Sequence, residues 1–344
     1  MKETILVTGG TGFIGSHTTV ELQQAGYEVV IVDNLSNSQE DVLDGIEQIT
    51  GIRPAFEKVD LRDFDATEEV FKKYPKISGI IHFAASKAVG ESVQKPLLYY
   101  HNNIVSLINL LSLMPKYNVK GIIFSSSCTV YGQPDVLPAT EETPIKKAES
   151  PYGNTKQINE EIIVDTIKSG APIKSIILRY FNPIGAHPTA LIGEMPNGVP
   201  QNLIPYLTQT AMGIREQLSV FGDDYDTPDG SCIRDYIYVV DLAKAHVCAM
   251  TRIMENESQE PVEVFNIGTG KGTSVLELIH AFENATGVKL NYKIVDRRAG
   301  DIEKVWGNVD KANKVLGWKA ETPLEDVLAS AWKWQCALRE RGIM

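Results

Sequence analysis

The chain has 344 residues, 43% of them apolar and 22% charged, with 27 glycines and 17 prolines. That balance suits one large or two unequal folded domains and excludes disordered, collagen-like and disulfide-knotted classes. With 33 basic against 44 acidic residues the formal charge is −11 and no long Lys/Arg run offsets it, so neither nucleic acid nor a membrane surface is an expected partner.

Cys128, Cys232, Cys248 and Cys336 lie far apart with no C-x-x-C pair, the pattern of reduced thiols in a cytoplasmic protein. Met1-Lys2-Glu3-Thr4 leads straight into a strand-like run without the apolar core of a signal peptide. No stretch approaches the roughly 18 apolar residues of a membrane span.

Ile5 to Thr8 is a short β-branched run ending at Gly9-Gly10, and a helix is predicted over Phe13 to Gln24. Further strands are predicted over Tyr27–Asp33, Ala55–Asp60, Ile77–Ala85, Val119–Ser127 and Ile173–Tyr180, with helices at about 64–74, 96–114 and 151–169. Apolar strands alternating with helices predict a doubly wound α/β fold, a mostly parallel sheet covered on both faces.

After Asn182 the rhythm breaks. Pro183, Pro188, Pro196, Pro200 and Pro205 punctuate a region of little strand character, and Gly222 to Gly230 reads as an exposed polar loop. Tyr236–Val240 and Val262–Ile267 read as strands, and Asp241 is expected to cap a helix reaching about Met254. Ser274 and Glu277 form a capping box for a helix over 275–286, and Thr322-Pro323 precede a last helix over 324–341. The expected division is a first domain over 1–182 and a smaller mixed α/β domain over 183–344, with some segments returning to the first.

Gly9, Gly12 and Gly15 stand three apart between the first strand and the first helix. Gly9 can make the tight turn, Gly12 lets backbone approach a pyrophosphate, and Gly15 lets the helix pack close to the strand. Asp33, 18 residues after Gly15, ends the second strand, where a carboxylate accepts from ribose hydroxyls and repels a 2′-phosphate. This favours NAD over NADP; capping of the next turn is the alternative role for Asp33. Asp60 repeats the arrangement one strand later, beside an adenine or as a turn residue.

Tyr152 and Lys156 lie four apart after Ser150-Pro151, so both side chains are expected on one helix face. An ammonium near a phenol stabilises the phenolate and makes a base able to take a hydroxyl proton while hydride leaves the same carbon. Alone, such a pair is an ordinary set of surface neighbours. Here it follows a dinucleotide motif and a strand ending in Ser125-Ser126-Ser127, whose last serine is placed to hydrogen-bond the reacting oxygen. Ser125 and Ser126 read as residues satisfying nearby backbone.

Gly9-x-x-Gly12-x-x-Gly15, Ser127 and Tyr152-x-x-x-Lys156 together resemble the extended short-chain dehydrogenase/reductases, which are Rossmann-like, and more closely their UDP-glucose 4-epimerase family. The likeness runs through Thr8–His17, Val32–Leu35, His82–Ala84, Lys87–Ser92 and Ser125–Gly132. It continues through Arg179–His187, Arg234–Ile237 and Arg297–Asp301.

The resemblance implies an epimerase that interconverts UDP-glucose and UDP-galactose through a 4-keto intermediate on tightly bound NAD. Phe13, Ile14, Asp33, Asn34, Asn37 and Ser38 would then line the adenosine side of the cofactor, with Asp60 and Leu61 beside them. Phe83, Ala84, Ala85, Lys87, Asn102 and Ser125 would line its middle, and Tyr152, Lys156 and Tyr180 its nicotinamide end. Ser127, Tyr152, Asn182, Asn202 and Leu203 would hold the UDP-sugar together with Arg234, Arg298, Asp301 and Val305. It also implies a homodimer through helices about 96–114 and 151–169. Leu107, Leu110 and Leu111 would suit that contact or the protomer core equally.

Three positions depart from the family pattern. Ala85-Ser86 replaces Gly-Leu, adding a methyl near the cofactor, and Cys128 replaces a frequent alanine. Val305 stands where a bulky tyrosine narrows the sugar pocket in hexose-specific relatives, so UDP-GlcNAc and UDP-GalNAc are expected substrates as well. A 4,6-dehydratase is disfavoured because Ser127-Cys128-Thr129 offers no carboxylate for elimination. A uronate epimerase lacks an identifiable basic contact, and a module that only senses NAD would leave the Ser, Tyr and Lys without purpose. His17, His82, His101, His187, His246 and His280 show no ligand spacing, and no catalytic metal is expected.

Overall fold

The computed structural model describes residues 3–298 and 301–343. Met1, Lys2 and the Ala299-Gly300 pair of the Arg297–Asp301 motif lie outside the described residues. The first half runs β1 (Thr4–Thr8), α1 (Phe13–Gln24), β2 (Glu28–Asp33), α2 (Val42–Thr50), β3 (Ala55–Lys58), α3 (Phe64–Lys73) and β4 (Ile77–His82). It continues through α4 (Val89–Gln94), α5 (Pro96–Leu113), β5 (Gly121–Ser127), α6 (Pro151–Lys168), β6 (Lys174–Tyr180) and β7 (Asn182–Ile184).

The second half runs α7 (Leu203–Ala211), β8 (Leu218–Phe221), β9 (Ile233–Arg234), β10 (Tyr236–Tyr238), α8 (Val239–Met254) and β11 (Val262–Ile267). It ends with β12 (Thr273–Ser274), α9 (Val275–Thr286), β13 (Tyr292–Val295), β14 (Lys304–Val305) and α10 (Leu324–Glu340).

Seven strands in the order β11-β6-β5-β4-β1-β2-β3 make the main sheet, every neighbouring pair parallel. It is the expected doubly wound α/β sheet. Helices cover both faces, so β1, β4 and β5 are buried along their whole lengths. Chain order reverses between β1 and β4, and a crevice at the carboxyl ends of the strands opens at such a reversal. Helix α1 begins at that point and is buried almost all round, between the sheet and α8, so its residues show no amphipathic stripe.

Short pairings link the later strands. β7 pairs in parallel with β10, β8 with β13, and β9 lies between β12 and β14. Through these, Asn182 sits opposite Tyr236, and Arg234 opposite Val305.

Several boundaries differ from expectation. Strand β4 stops at His82 because Phe83–Ser86 turn across the glycine loop, and β3 stops at Lys58, leaving Asp60 in a turn. Asp241 does not cap α8: the helix begins at Val239, and the Asp241 carboxylate accepts from the Glu321 and Thr322 backbone instead. Pro323, not Thr322, is the N-cap of α10. The Ser274–Glu277 capping box forms as expected, with Asp229 accepting a hydrogen bond from the Ser274 hydroxyl. Within the Gly222–Gly230 loop Tyr225 is buried, its ring facing the Arg297 guanidinium. The proline-punctuated region after Asn182 also forms helix α7 and strand β8, which its sequence does not announce.

Candidate active site

The glycine loop is fixed by close backbone packing. Gly9 adopts φ +70°, and a Cβ there would stand 2.8 Å from the Ala84 amide nitrogen. A Cβ on Gly15 would stand 2.3 Å from the Gly9 carbonyl oxygen, so α1 can approach β1 this closely only with glycine. Gly12 is the N-cap of α1 and provides no side-chain cap, which leaves the helix start available to an anion.

At the tip of β2, Asp33 accepts from the Thr11 amide at 3.3 Å, the Leu35 amide at 2.9 Å and the Ser38 hydroxyl at 3.2 Å. It therefore shapes the following turn and faces the glycine loop at once. Asp60 is bound by the Arg62 guanidinium, which holds its carboxyl well below the usual range, and it accepts from Asn34 at 3.4 Å. Asn37 is exposed, and the Leu61 side chain is buried in the core beneath the sheet rather than in the crevice.

Phe83, Ala84 and Ala85 lie in the segment that crosses Gly9. Ser86, one of the departures from the family pattern, is clamped: its amide donates to Asn103 at 2.8 Å and its hydroxyl accepts from Asn102 at 3.1 Å. Phe83 packs 4.7 Å from the His246 ring, and Tyr180 lies 5.9 Å from the same ring. Burial pushes His246 down to about 4, so it is neutral.

Tyr152 and Lys156 do share the first turns of α6, which Ser150 caps through the Gly153 amide at 3.2 Å. The Lys156 amine stands 5.8 Å from the Tyr152 ring centroid and 5.0 Å from that of Phe124. It donates to the Ser125 carbonyl at 2.6 Å rather than to the phenol. The Ser127 hydroxyl accepts from the Thr129 amide at 3.2 Å and lies by the Tyr152 phenol, whose ionised form it favours. Tyr180 closes the group through a short hydrogen bond with Ser125.

The expected acidification of the phenol is not reached by these residues alone. Burial raises Tyr152 above the ordinary phenol range, and the neighbouring Tyr180 adds to the rise while Ser127 opposes it. The same burial lowers Lys156 to about 8, against a partial upward pull from Glu160. Glu160 is committed elsewhere: it takes Arg179 at 3.0 and 2.6 Å and also accepts the Ser126 hydroxyl, so Ser126 serves this buried pair rather than nearby backbone.

On the far side, Cys128, Phe181 and Val305 pack in one buried cluster. The Cys128 thiol feels the Arg234 guanidinium, yet burial pushes it up to about 12 and keeps it neutral. Asp301 takes Arg298 at 2.6 Å and stands 3.9 Å from Arg234, so the carboxylate faces both arginines. Asn202 is the N-cap of α7 but does not cap it: its amide donates to Glu194 at 2.6 Å, beside a Lys87–Glu194 ion pair at 3.2 Å. Sequence reasoning missed Glu194 and Glu160, because neither stands in a motif and both act on residues distant in the chain.

The geometry fits a dinucleotide. The uncapped start of α1 and the bare backbone of Gly12 suit a diphosphate, and the Asp33 carboxylate suits ribose hydroxyls.

A family model for the NAD dependent epimerase/dehydratase family matches residues 5–268. UDP-glucose 4-epimerase of Bacillus subtilis (strain 168) is 50% identical over 331 residues, 96% of each chain. The structure of a UDP-glucose 4-epimerase from Bifidobacterium longum in complex with NAD+ and UDP superposes with a TM-score of 0.93 at 50% identity, covering 97% of this chain and 98% of that one. A UDP-Glc/GlcNAc 4-epimerase from Campylobacter jejuni superposes at 0.83 with 35% identity, covering 97% and 99%. With fold, cofactor loop and Ser-Tyr-Lys group in place across essentially its whole length, the chain belongs to the NAD dependent epimerase/dehydratase family and, within it, to the UDP-glucose 4-epimerases.

Proposed function

We propose that this epimerase works through Tyr152 as the general base and acid at the sugar C4 oxygen. Ser127 hydrogen-bonds that oxygen and Lys156 supplies positive charge behind the phenol. The observation that carries the reading is that Ser127 of β5 lies by the Tyr152 phenol while the Lys156 amine stands 5.8 Å from the Tyr152 ring centroid, with Tyr180 nearby. NAD, when bound, would supply the acceptor for the C4 hydride and its donor to the opposite face, with no net redox change. Gly9, Gly12 and Gly15 with Asp33, Lys87 and Asn102 would hold it.

Removal of the hydroxyl proton by Tyr152 accompanies oxidation to a 4-ketose, and return of that proton completes the inverted alcohol. The sugar has to present both faces, so anchoring is assigned to the UDP part. Asn182, Asn202, Leu203, Arg234, Arg298 and Asp301 would hold it, with arginine forks supplying the charge that a −11 chain otherwise lacks. Positioning of reactants in this way contributes several kcal/mol to lowering such barriers.

Val305 extends the substrate range to UDP-GlcNAc and UDP-GalNAc in this reading, supported by its small side chain beside Cys128 and Phe181 and by the name of the Campylobacter relative. A homodimer through α5 and α6 is supported by exposed apolar residues there, Leu97 at 81% and Leu98 at 41%, with Val93 of α4 at 62%. Leu107, Leu110 and Leu111 are buried within the protomer. Four free cysteines fit a reducing compartment, the cytoplasm, and no helix among the described residues is long and apolar enough to cross a membrane.

Conversion of UDP-galactose to UDP-glucose, followed with the purified protein, tests the reading. Tyr152→Phe should lower kcat by about two to four orders of magnitude, and near-normal turnover would remove Tyr152 from its role. Val305→Tyr should reduce turnover of the N-acetylated pair far more than that of the plain pair. Equal losses would leave the pocket argument without support.

A further inference from the structure

Asn266 stands near the carboxyl end of β11, fully buried, with both polar atoms of its side chain hydrogen-bonded. Its amide nitrogen donates to the Ala139 carbonyl at 3.0 Å and to the Asn308 carbonyl at 3.4 Å, and its oxygen accepts from the Tyr131 hydroxyl at 2.7 Å. Arg179 has only donors to offer, so its contact with the Tyr131 oxygen at 3.2 Å leaves the phenol proton for Asn266. That turns the Asn266 oxygen toward Tyr131 and both of its N–H groups toward the two carbonyls. The Asn266 backbone N–H donates in turn to the Glu141 carboxylate at 2.8 Å.

Three segments distant in sequence meet on this side chain. They are the helical turn Cys128–Tyr131 that follows Ser127, the strap 132–149 between that turn and α6, and the chain just after β14. The strap and the last segment also bind each other. The Ala139 amide donates to the Trp306 carbonyl at 3.0 Å and the Asn308 amide to the Ala139 carbonyl at 2.7 Å, a parallel bridge centred on Gly307. A Cβ at Gly307 would stand 2.5 Å from the Phe181 ring, so the segment lies flat against it. Val305, two residues earlier, packs in one buried cluster with Cys128, Tyr131, Ala139 and Phe181.

We infer that Asn266 is a positioning residue for substrate choice: by tying the strap to the segment after Val305, it holds the Val305 wall of the sugar pocket at a fixed distance from the Ser127-Cys128 wall. This rests on the reading above that Val305 sets the room for an N-acetyl group. The bonds that hold the wall are shielded from water, so a bulky substituent moves it only by stretching or breaking them. An unsubstituted hexose exerts no such push. Loosening the tie therefore discriminates by size and lowers the cost of fitting the larger sugar.

Asn266→Asp keeps the shape and the acceptor for Tyr131 and puts an oxygen where both donors stood. The ratio of kcat/KM for UDP-GlcNAc to that for UDP-glucose, measured on the NAD-loaded enzyme, should rise about three- to ten-fold in this variant. Tyr131→Phe removes one hydroxyl and leaves both Asn266 donors in place, so it serves if Asn266→Asp does not fold. Its ratio should move the same way by a smaller factor. Equal losses on both substrates in the variant that folds would make Asn266 a support of the fold alone and overturn the inference. Val305→Tyr, assayed alongside, separates the two readings. If it lowers the ratio while the Asn266 and Tyr131 variants leave it unchanged, the pocket assignment stands and the positioning role fails. If Val305→Tyr itself leaves the ratio unchanged, the pocket assignment fails and the inference falls with it.

Discussion

Replacing Lys156 by Met tests what the buried ammonium costs the fold. The amine is enclosed between the Phe124 and Tyr152 rings and has the Ser125 carbonyl as its close acceptor, while Glu160 is held by Arg179. Burial lowers it to about 8, against 10.5 for an ordinary lysine. Between those values the unfolded chain carries a proton that the folded chain has released, so stability rises with pH through that window. At about 1.4 kcal/mol per pKa unit, the charge costs the folded state roughly 3 kcal/mol at pH 7. Raising the pH to 10 recovers about 2–3 kcal/mol of it.

Methionine has a similar length and no charge, so its stability lacks this component of the pH dependence. Urea unfolding of both proteins, at matched cofactor content from pH 7 to 10, should show the wild type gaining about 2–3 kcal/mol relative to Lys156→Met. Parallel curves would mean that the folded protein solvates the ammonium as well as water does.

Two further outcomes follow from the packing. Gly15→Ala places a methyl 2.3 Å from the Gly9 carbonyl oxygen, a clash of backbone with backbone that the turn can relieve only by opening. The purified variant should retain less than about a tenth of the wild-type NAD, read by absorbance after gel filtration, and full retention would show that the turn tolerates a Cβ. Leu97, 81% exposed at the start of α5, should lie in the proposed dimer contact. Leu97→Asp should therefore shift light-scattering mass from dimer to monomer without altering the circular dichroism, and an unchanged dimer would place the interface elsewhere.

How much of the fold could be read ahead depended on the length of each element. Helix α1, strand β11 and helix α9 have the predicted bounds because long apolar runs or a complete capping box mark them. Helix α2 was not anticipated, although Val42, Ile46 and Ile49 recur at helical spacing and Gly51 ends it at φ +74°. Prolines concealed α7: Pro205 sits in its first turn, where no amide hydrogen is needed, so a residue read as a breaker stands inside the helix. Strands β9, β12 and β14 have only two residues each and exist because partners from distant parts of the chain supply their hydrogen bonds. No window of sequence contains that information.

The site divides along the same line. Tyr152 and Lys156 were legible because helical geometry alone puts residues four apart on one face. Their electrostatics were not, because burial acts on both partners and the motif displays neither environment. The enclosure that brings the amine near the ring also raises the phenol and lowers the ammonium, so each group is pushed toward neutrality. Ser127 returns only part of the difference, and Glu160, an anion that favours the charged amine, is balanced by Arg179. In the role proposed for Tyr152, the acidity it needs would come with a further positive charge, such as an oxidised nicotinamide ring would carry, and proton removal would then depend on the cofactor being present in its hydride-accepting state.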